Sequence, residues 1–158
     1  MSFDVFLQRF VGGEPAEANR DHVHAVLRSR QYSGPDRFGY YTVTFPDGVE
    51  VELSAEGLDG KAEFTGCSFQ LRSMSPYLPE FILELAKAGD MVVLPATERS
   101  VAFLSSPEQK EHLPPDLARD GWELVVCDSA TELESLLCGG LAAWQRYLGE
   151  ILNKNPRI

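Results

Sequence analysis

Thiols and imidazoles are scarce in this sequence, and basic side chains are outnumbered. The three cysteines, Cys67, Cys127 and Cys138, are odd in number and far apart, with neither a CxxC pair nor the spacing of a metal site. That argues against a disulfide framework and predicts separate, reduced thiols in a reducing compartment. No run of about 18 apolar residues occurs, so no membrane span is expected. Lysine and arginine number 14 against 24 acids, a formal charge of −10. Such a chain repels nucleic-acid phosphates and anionic lipid, so neither nucleic acid nor membrane is expected as a partner. The opening MSFDVFLQRF carries no basic leader, which predicts a cytoplasmic protein. GxSxG, HExxH, GxGxxG and the kinase signatures are all missing. No catalytic residue, cofactor or metal is therefore assigned, and the balance leans away from an enzyme.

The acids that are present are unevenly spread. Residues 46–63 carry a net charge of −5 and residues 108–134 a net charge of −6, while residues 1–45 are neutral and the tail, 135–158, is net +2. Two segments thus supply more than the whole imbalance.

A length of 158 residues fits a single domain spanning 1–158, long enough to bury a core. FDVFLQRF, residues 3–10, alternates like a strand, and Gly12-Gly13 ends it. Val23, Val26 and Leu27 predict a helix over 18–30, capped by Asn19 or Asp21. Ser33-Gly34-Pro35-Asp36 reads as a loop. In GYYTVTFPDGVEVELSAEGLDGKAEF, residues 39–64, the turn decides the faces. A two-residue Asp47-Gly48 turn would set Phe45 against Glu50 and Val43 against Glu52. A three-residue loop, Pro46-Asp47-Gly48, pairs Phe45 with Val49, Val43 with Val51 and Tyr41 with Leu53. It leaves Glu50 and Glu52 with the threonines on the other face, and it suits proline at i+1 and glycine in the left-handed position. The three-residue loop is the expectation. A four-residue turn at Gly57–Gly60 would then pair Leu53 with Phe64, with a β-bulge at 65–67 restoring the phase of Cys67, Phe69 and Leu71.

Further on, Leu78, Phe81, Ile82, Leu85 and Ala86 give the stripe of a core-facing helix over 75–88, stopped by Gly89. Met91–Leu94 and Val101–Leu104 read as strands, the first of them central. Residues 105–120 read as irregular with one helical turn at 107–112, and Trp122–Val126 as a last strand. Thr131 with Glu134 forms a capping box for a final helix, 131–152, interrupted by Gly139-Gly140. The fold class predicted is α+β: a largely antiparallel or mixed sheet of five to seven strands with about three helices packed mainly on one face. Val5, Leu27, Tyr41, Val43, Val51, Leu53, Phe64, Phe81, Leu85, Val93, Phe103, Val125, Leu137 and Trp144 are the expected core.

Several residues invite a sharper reading. His22 and His24, two apart on a helix, point about 200° apart and cannot share a metal. Gly12-Gly13 has glutamates where a phosphate would sit and reads as a plain turn. Arg9, Arg20, Arg28, Arg30 and Arg37 are the one local basic group, balanced by nearby acids. HLPPDL, 112–117, predicts a stiff, extended surface segment, here a rigid connection between strands.

FDVFLQRFVGGEP and PEQKEHLPPDL together resemble small uncharacterised bacterial single-domain proteins. In size, acidity and lack of a catalytic signature the chain also resembles immunity proteins, which bind and block a cognate toxin. That resemblance implies a non-enzymatic protein-binding module with an acidic contact face and a basic, toxin-like partner. Asp47, Glu50, Glu52 and Asp59, with Asp116 and Asp120, are the candidate contact residues. The alternative is a small-molecule binder or enzyme with a cleft near the 105–120 loop, using His112, Arg99 or Trp122. A structural homo-oligomer is the third reading. The acids of 39–64 also have a bland explanation, since one wet face of a sheet needs no function.

Overall fold

A computed structural model describes residues 3–97, 100–127 and 129–139. Its main sheet is mixed and, among the described residues, has eight strands, more than the five to seven expected. The strands are β1 (Phe3–Gln8), β4 (Gln31–Ser33), β5 (Tyr40–Thr44), β6 (Glu50–Ser54), β7 (Gly66–Leu71), β8 (Val92–Pro95), β9 (Val101–Leu104) and β10 (Glu123–Val126). They lie in the order β10-β9-β8-β1-β7-β6-β5-β4. Only β9 and β10 run parallel. The surplus comes from β4, a three-residue edge strand ahead of the Ser33-Gly34-Pro35 loop. A separate hairpin, β2 (Phe10–Val11) with β3 (Glu14–Pro15), turns at Gly12-Gly13.

One face of the sheet is sealed by α1 (Arg20–Arg28), α2 (Leu78–Gly89) and α4 (residues 130–139). Val5, Leu7, Val43, Leu53, Phe69, Phe81, Leu85, Leu133 and Leu137 form the core beneath them. Asn19 caps α1 by accepting from the His22 amide at 3.1 Å. The α2 stripe is buried throughout. Its left-handed closing residue is Asp90, φ 52°, and not Gly89, which is the last helical residue. The Asp90 carboxylate is held there by the Gln109 amide at 2.9 Å and Arg9 at 3.6 Å. Because α4 begins at residue 130, Thr131 lies inside its first turn and not at the cap. The expected stretch 140–152, with Trp144, lies outside the described residues.

The 40–54 hairpin adopts the three-residue loop. Tyr41 pairs with Leu53, Val43 with Val51, and the Phe45 amide donates to Val49 at 2.9 Å. The continuation is different from the expectation. Leu53 pairs with Phe69 and not with Phe64, so residues 55–65 are a long loop and not a tight turn. The β1–β7 register runs unbroken from Gly66 to Leu71, so no bulge exists at 65–67. The physical reason is burial: Leu58 and Phe64 are both wholly enclosed, and the loop folds under the sheet as a plug. α1 takes up its carbonyls. Arg20 donates to the Ala62 carbonyl at 2.9 Å, and the His24 ring bonds the Leu58 carbonyl at 2.7 Å. A bulge was needed only if Phe64 belonged to the strand, and it does not.

On the other face, Val92, Ala102 and Leu104 make a second small cluster covered by Phe10, Leu113 and Trp122. The covering segment holds a 3₁₀ helix (Pro107–His112), where one helical turn was expected, and α3 (Pro115–Arg119). The HLPPDL stretch is therefore extended only at Leu113 and Pro114; Pro115 opens α3, the helix position where a missing amide is harmless. Among the predicted core residues within the described part, Val125 alone is half-buried.

Candidate functional site

Among the described residues, the second face carries the cover only at the β8–β10 end. Over β5, β6, β7 and β1, the described residues place no helix or loop. The strands there alternate, so Glu50 and Glu52 point away from the core that holds Val51 and Leu53. A row runs Thr42–Glu52–Gln70–Asp4 across β5, β6, β7 and β1. The next row runs Tyr40–Ser54–Ser68–Phe6–Leu94 and reaches β8. Phe6 is 45% exposed in the middle of this open area, and Tyr40 is 36% exposed at its margin. Glu50 and Glu52 are exposed and have no ion-pair or hydrogen-bond partner among the described residues.

The predicted contact acids do not form one cluster. Glu50 and Glu52 are two apart on one face of β6. Asp47 is engaged locally: it accepts from the Val49 amide at 3.1 Å and from the Ser75 hydroxyl at 2.7 Å, which fixes the hairpin loop to the entry of α2. Asp59 lies past the other end of β6 and caps the Lys61 amide at 3.1 Å. Asp116 and Asp120 sit at the two ends of α3. That helix lies within the cover over β8–β10, four or so strand spacings from β6, on the order of 20 Å away. They flank the open area from the opposite side, with Phe6 between.

The residues of the alternative cleft are used in packing. His112 accepts from the Gly12 amide at 3.2 Å through Nδ1, and its carbonyl accepts from Gly13 at 3.0 Å. Trp122 packs on the second cluster. Arg99 lies outside the described residues. The arginines do not assemble either. Arg9 donates to the Glu17 carbonyl at 2.7 Å, Arg30 pairs with Glu84 at 3.0 Å, and Arg37 lies over Phe38. His22 and His24 both lie on α1, as the valine spacing required. No group of three or more His, Cys, Asp or Glu side chains is arranged to hold a metal among the described residues. Cys67 is buried, and burial pushes its thiol up to about 12, so it is not a nucleophile at neutral pH.

A cleft of about 440 Å³ lies between the 34–39 loop and the 55–62 loop, at the end of β6 nearest Asp59. Phe38, Tyr41, Ser54, Glu56, Asp59 and Lys61 line it. Two glycines shape its walls. At Gly34, φ +110°, a Cβ would meet the Tyr40 carbonyl oxygen at 2.6 Å; at Gly57, φ +86°, it would meet the Ala62 carbonyl oxygen at 2.6 Å. Each loop closes on its own far end backbone to backbone, which only glycine permits. Ser54 follows Glu50 and Glu52 on the same face of β6, so the acidic strip leads into this cleft.

Tyr41 is the residue that sequence patterning underrates. Alternation assigns its ring to the core, and the residue is 2% exposed. Tyr41 nevertheless lines the cleft, and its hydroxyl has no hydrogen-bond partner among the described residues. Burial, then the Asp59 carboxylate and Tyr32, hold the phenol above its ordinary pKa. The signal available in sequence was the polar tip of a core tyrosine, which needs an outlet.

The chain matches no protein-family model, and no curated protein or solved structure shows significant similarity to it.

Proposed function

We propose that the protein is a non-enzymatic binding module that docks a basic protein on the open sheet face, in the manner of an immunity protein against a toxin. The observation that carries this reading is the area around Phe6 that no described helix or loop covers, with Glu50 and Glu52 two strands away on the same face. An exposed aromatic ringed by polar and acidic side chains is the anatomy of a docking surface, with an apolar centre and a charged rim. A plain wet sheet face accounts for the glutamates but gives no reason for a phenylalanine 45% exposed two strands away on the same face. Unpaired carboxylates steer a basic partner toward the face before contact, and the partner is the candidate a toxin-like role implies.

Centre and rim make separable demands. In affinity purification at low salt, the protein should retain a basic protein. Glu50→Lys with Glu52→Lys should slow association roughly tenfold or more and flatten its salt dependence, as rim charges do. Phe6→Ala should instead speed dissociation, by roughly tenfold for a central apolar anchor. Retention of the same protein by the charge-reversed double variant, with unchanged rates, would remove the face.

A further inference from the structure

We propose that the cleft between the 34–39 and 55–62 loops binds one organic cation, a guanidinium or ammonium group on a short apolar stem. The inference deepens the docking reading and rests on it for one source of that cation, a side chain of the basic partner; a free small molecule is the other source.

Three features of the cleft point to this chemistry. The first is the Tyr41 hydroxyl. It belongs to a residue 98% enclosed, reaches the cleft, and finds no protein partner among the described residues. The hydroxyl opens onto the cleft and not into the core, so a donor held in the cleft can bond the phenol oxygen in place of solvent. The second is the carboxylate pair. Asp59 commits Oδ1 to the Lys61 amide, which leaves Oδ2 for a ligand, and Glu56 is exposed beside it. Among the described lining residues Lys61 is the one cation against two carboxylates, so the lining itself is net negative, with Arg37 outside it on Phe38. The third is Phe38, 69% exposed at the mouth. Its ring already has the guanidinium of its own neighbour Arg37 at 4.7 Å from the centroid. The chain thus supplies an internal example of the group this ring accepts.

The test uses the whole protein at low ionic strength, with N-acetyl-arginine methylamide as probe and N-acetyl-citrulline methylamide as its uncharged counterpart. Amide chemical shifts of Ser54, Gly57 and Lys61 are followed by NMR. The arginine probe should bind with Kd on the order of 1 mM, and the citrulline probe roughly tenfold more weakly, the loss expected for one charged hydrogen bond. Asp59→Asn keeps the oxygen that caps Lys61, so the loop stays formed, and it should weaken the arginine probe roughly tenfold. Tyr41→Phe keeps the buried ring and should weaken it severalfold. Equal binding of the two probes, no response to Asp59→Asn, or no shift at any of the three amides would overturn the proposal.

A second arm compares the single-residue probe with an acetylated Lys-Arg-Lys peptide. A gain for the peptide that Glu50→Lys with Glu52→Lys abolishes, while the single probe is untouched, assigns the cation to a basic partner. Equal affinity of peptide and single probe assigns it to a free molecule, and leaves the cleft standing while the docking reading falls.

Discussion

Cys67 sits on β7 opposite Leu7, with its thiol enclosed. Burial raises it from 9.0 to about 12. A raised value means that the folded chain holds the proton more tightly than the unfolded one. The stabilisation is complete below about pH 9 and is lost as pH climbs toward 12. In that window one such group removes about 1.4 kcal/mol per pH unit. Urea midpoints should therefore stay level from pH 7 to 8.5 and fall from pH 9 upward, with Tyr41 adding to the fall above its ordinary value of 10.0. Cys67→Ala starts less stable because it leaves a small void, but its midpoint should fall less steeply between pH 9 and 10. Parallel slopes for the two proteins would show that the thiol is not enclosed. Alternation made Cys67 legible as a core residue; the same rule hid Tyr41, because a period of two reports where a ring goes and says nothing of a hydroxyl at its far end.

At the level of elements, the 40–54 hairpin and the 55–65 loop show where patterning succeeds and fails. In the hairpin the turn residues, the alternation and the separation of acids from aliphatics all favour one register, and that register formed. In the loop two apolar residues, Leu58 and Phe64, mimic a strand in phase with Leu53. Only the packing of α1 over the loop reveals them as a plug, and that is a tertiary fact. α2 was readable for the opposite reason, since twelve residues of amphipathic spacing have no rival arrangement. The reading of 55–65 as a plug has a cost attached to it. Leu58→Ala should destabilise the protein by about 2–5 kcal/mol, the range for a buried leucine, while Glu63→Ala, exposed in the same loop, should change stability by no more than about 0.5 kcal/mol. Chemical denaturation checks both. A small effect at Leu58 would mean that the loop is an ordinary surface connection, and would loosen the cleft wall that Gly57 and Asp59 build.

For the molecule as a whole, the distribution of charge separates two origins of stability. Among the described residues three ion pairs join Arg9 to Asp90, Arg20 to Glu17 and Arg30 to Glu84. Each involves a partly exposed carboxylate, and such pairs contribute about 0–1 kcal/mol apiece. Against them stands an excess of ten negative charges, concentrated in 46–63 and 108–134. The sheet places Glu50 and Glu52 of the first segment and Asp116 and Asp120 of the second on opposite sides of the open area around Phe6, while residues 130–134 lie in α4 on the other face. The sequence showed the two acidic blocks but not that arrangement, because β1, β7 and β8 intervene between them only through long-range pairing. Self-repulsion of the surplus acids should exceed the contribution of three exposed pairs. Adding sodium chloride, which shortens the screening length from about 30 Å at 0.01 M to about 10 Å at 0.1 M, should then raise the urea midpoint of the isolated protein. The same salt should weaken capture of a basic partner, since it screens the attraction that steers it. Opposite responses of folding and docking to one variable would identify the acids as placed for a partner at some expense of fold stability. A midpoint that falls with salt would show instead that the ion pairs dominate, and would leave Glu50 and Glu52 as no more than the wet side of β6.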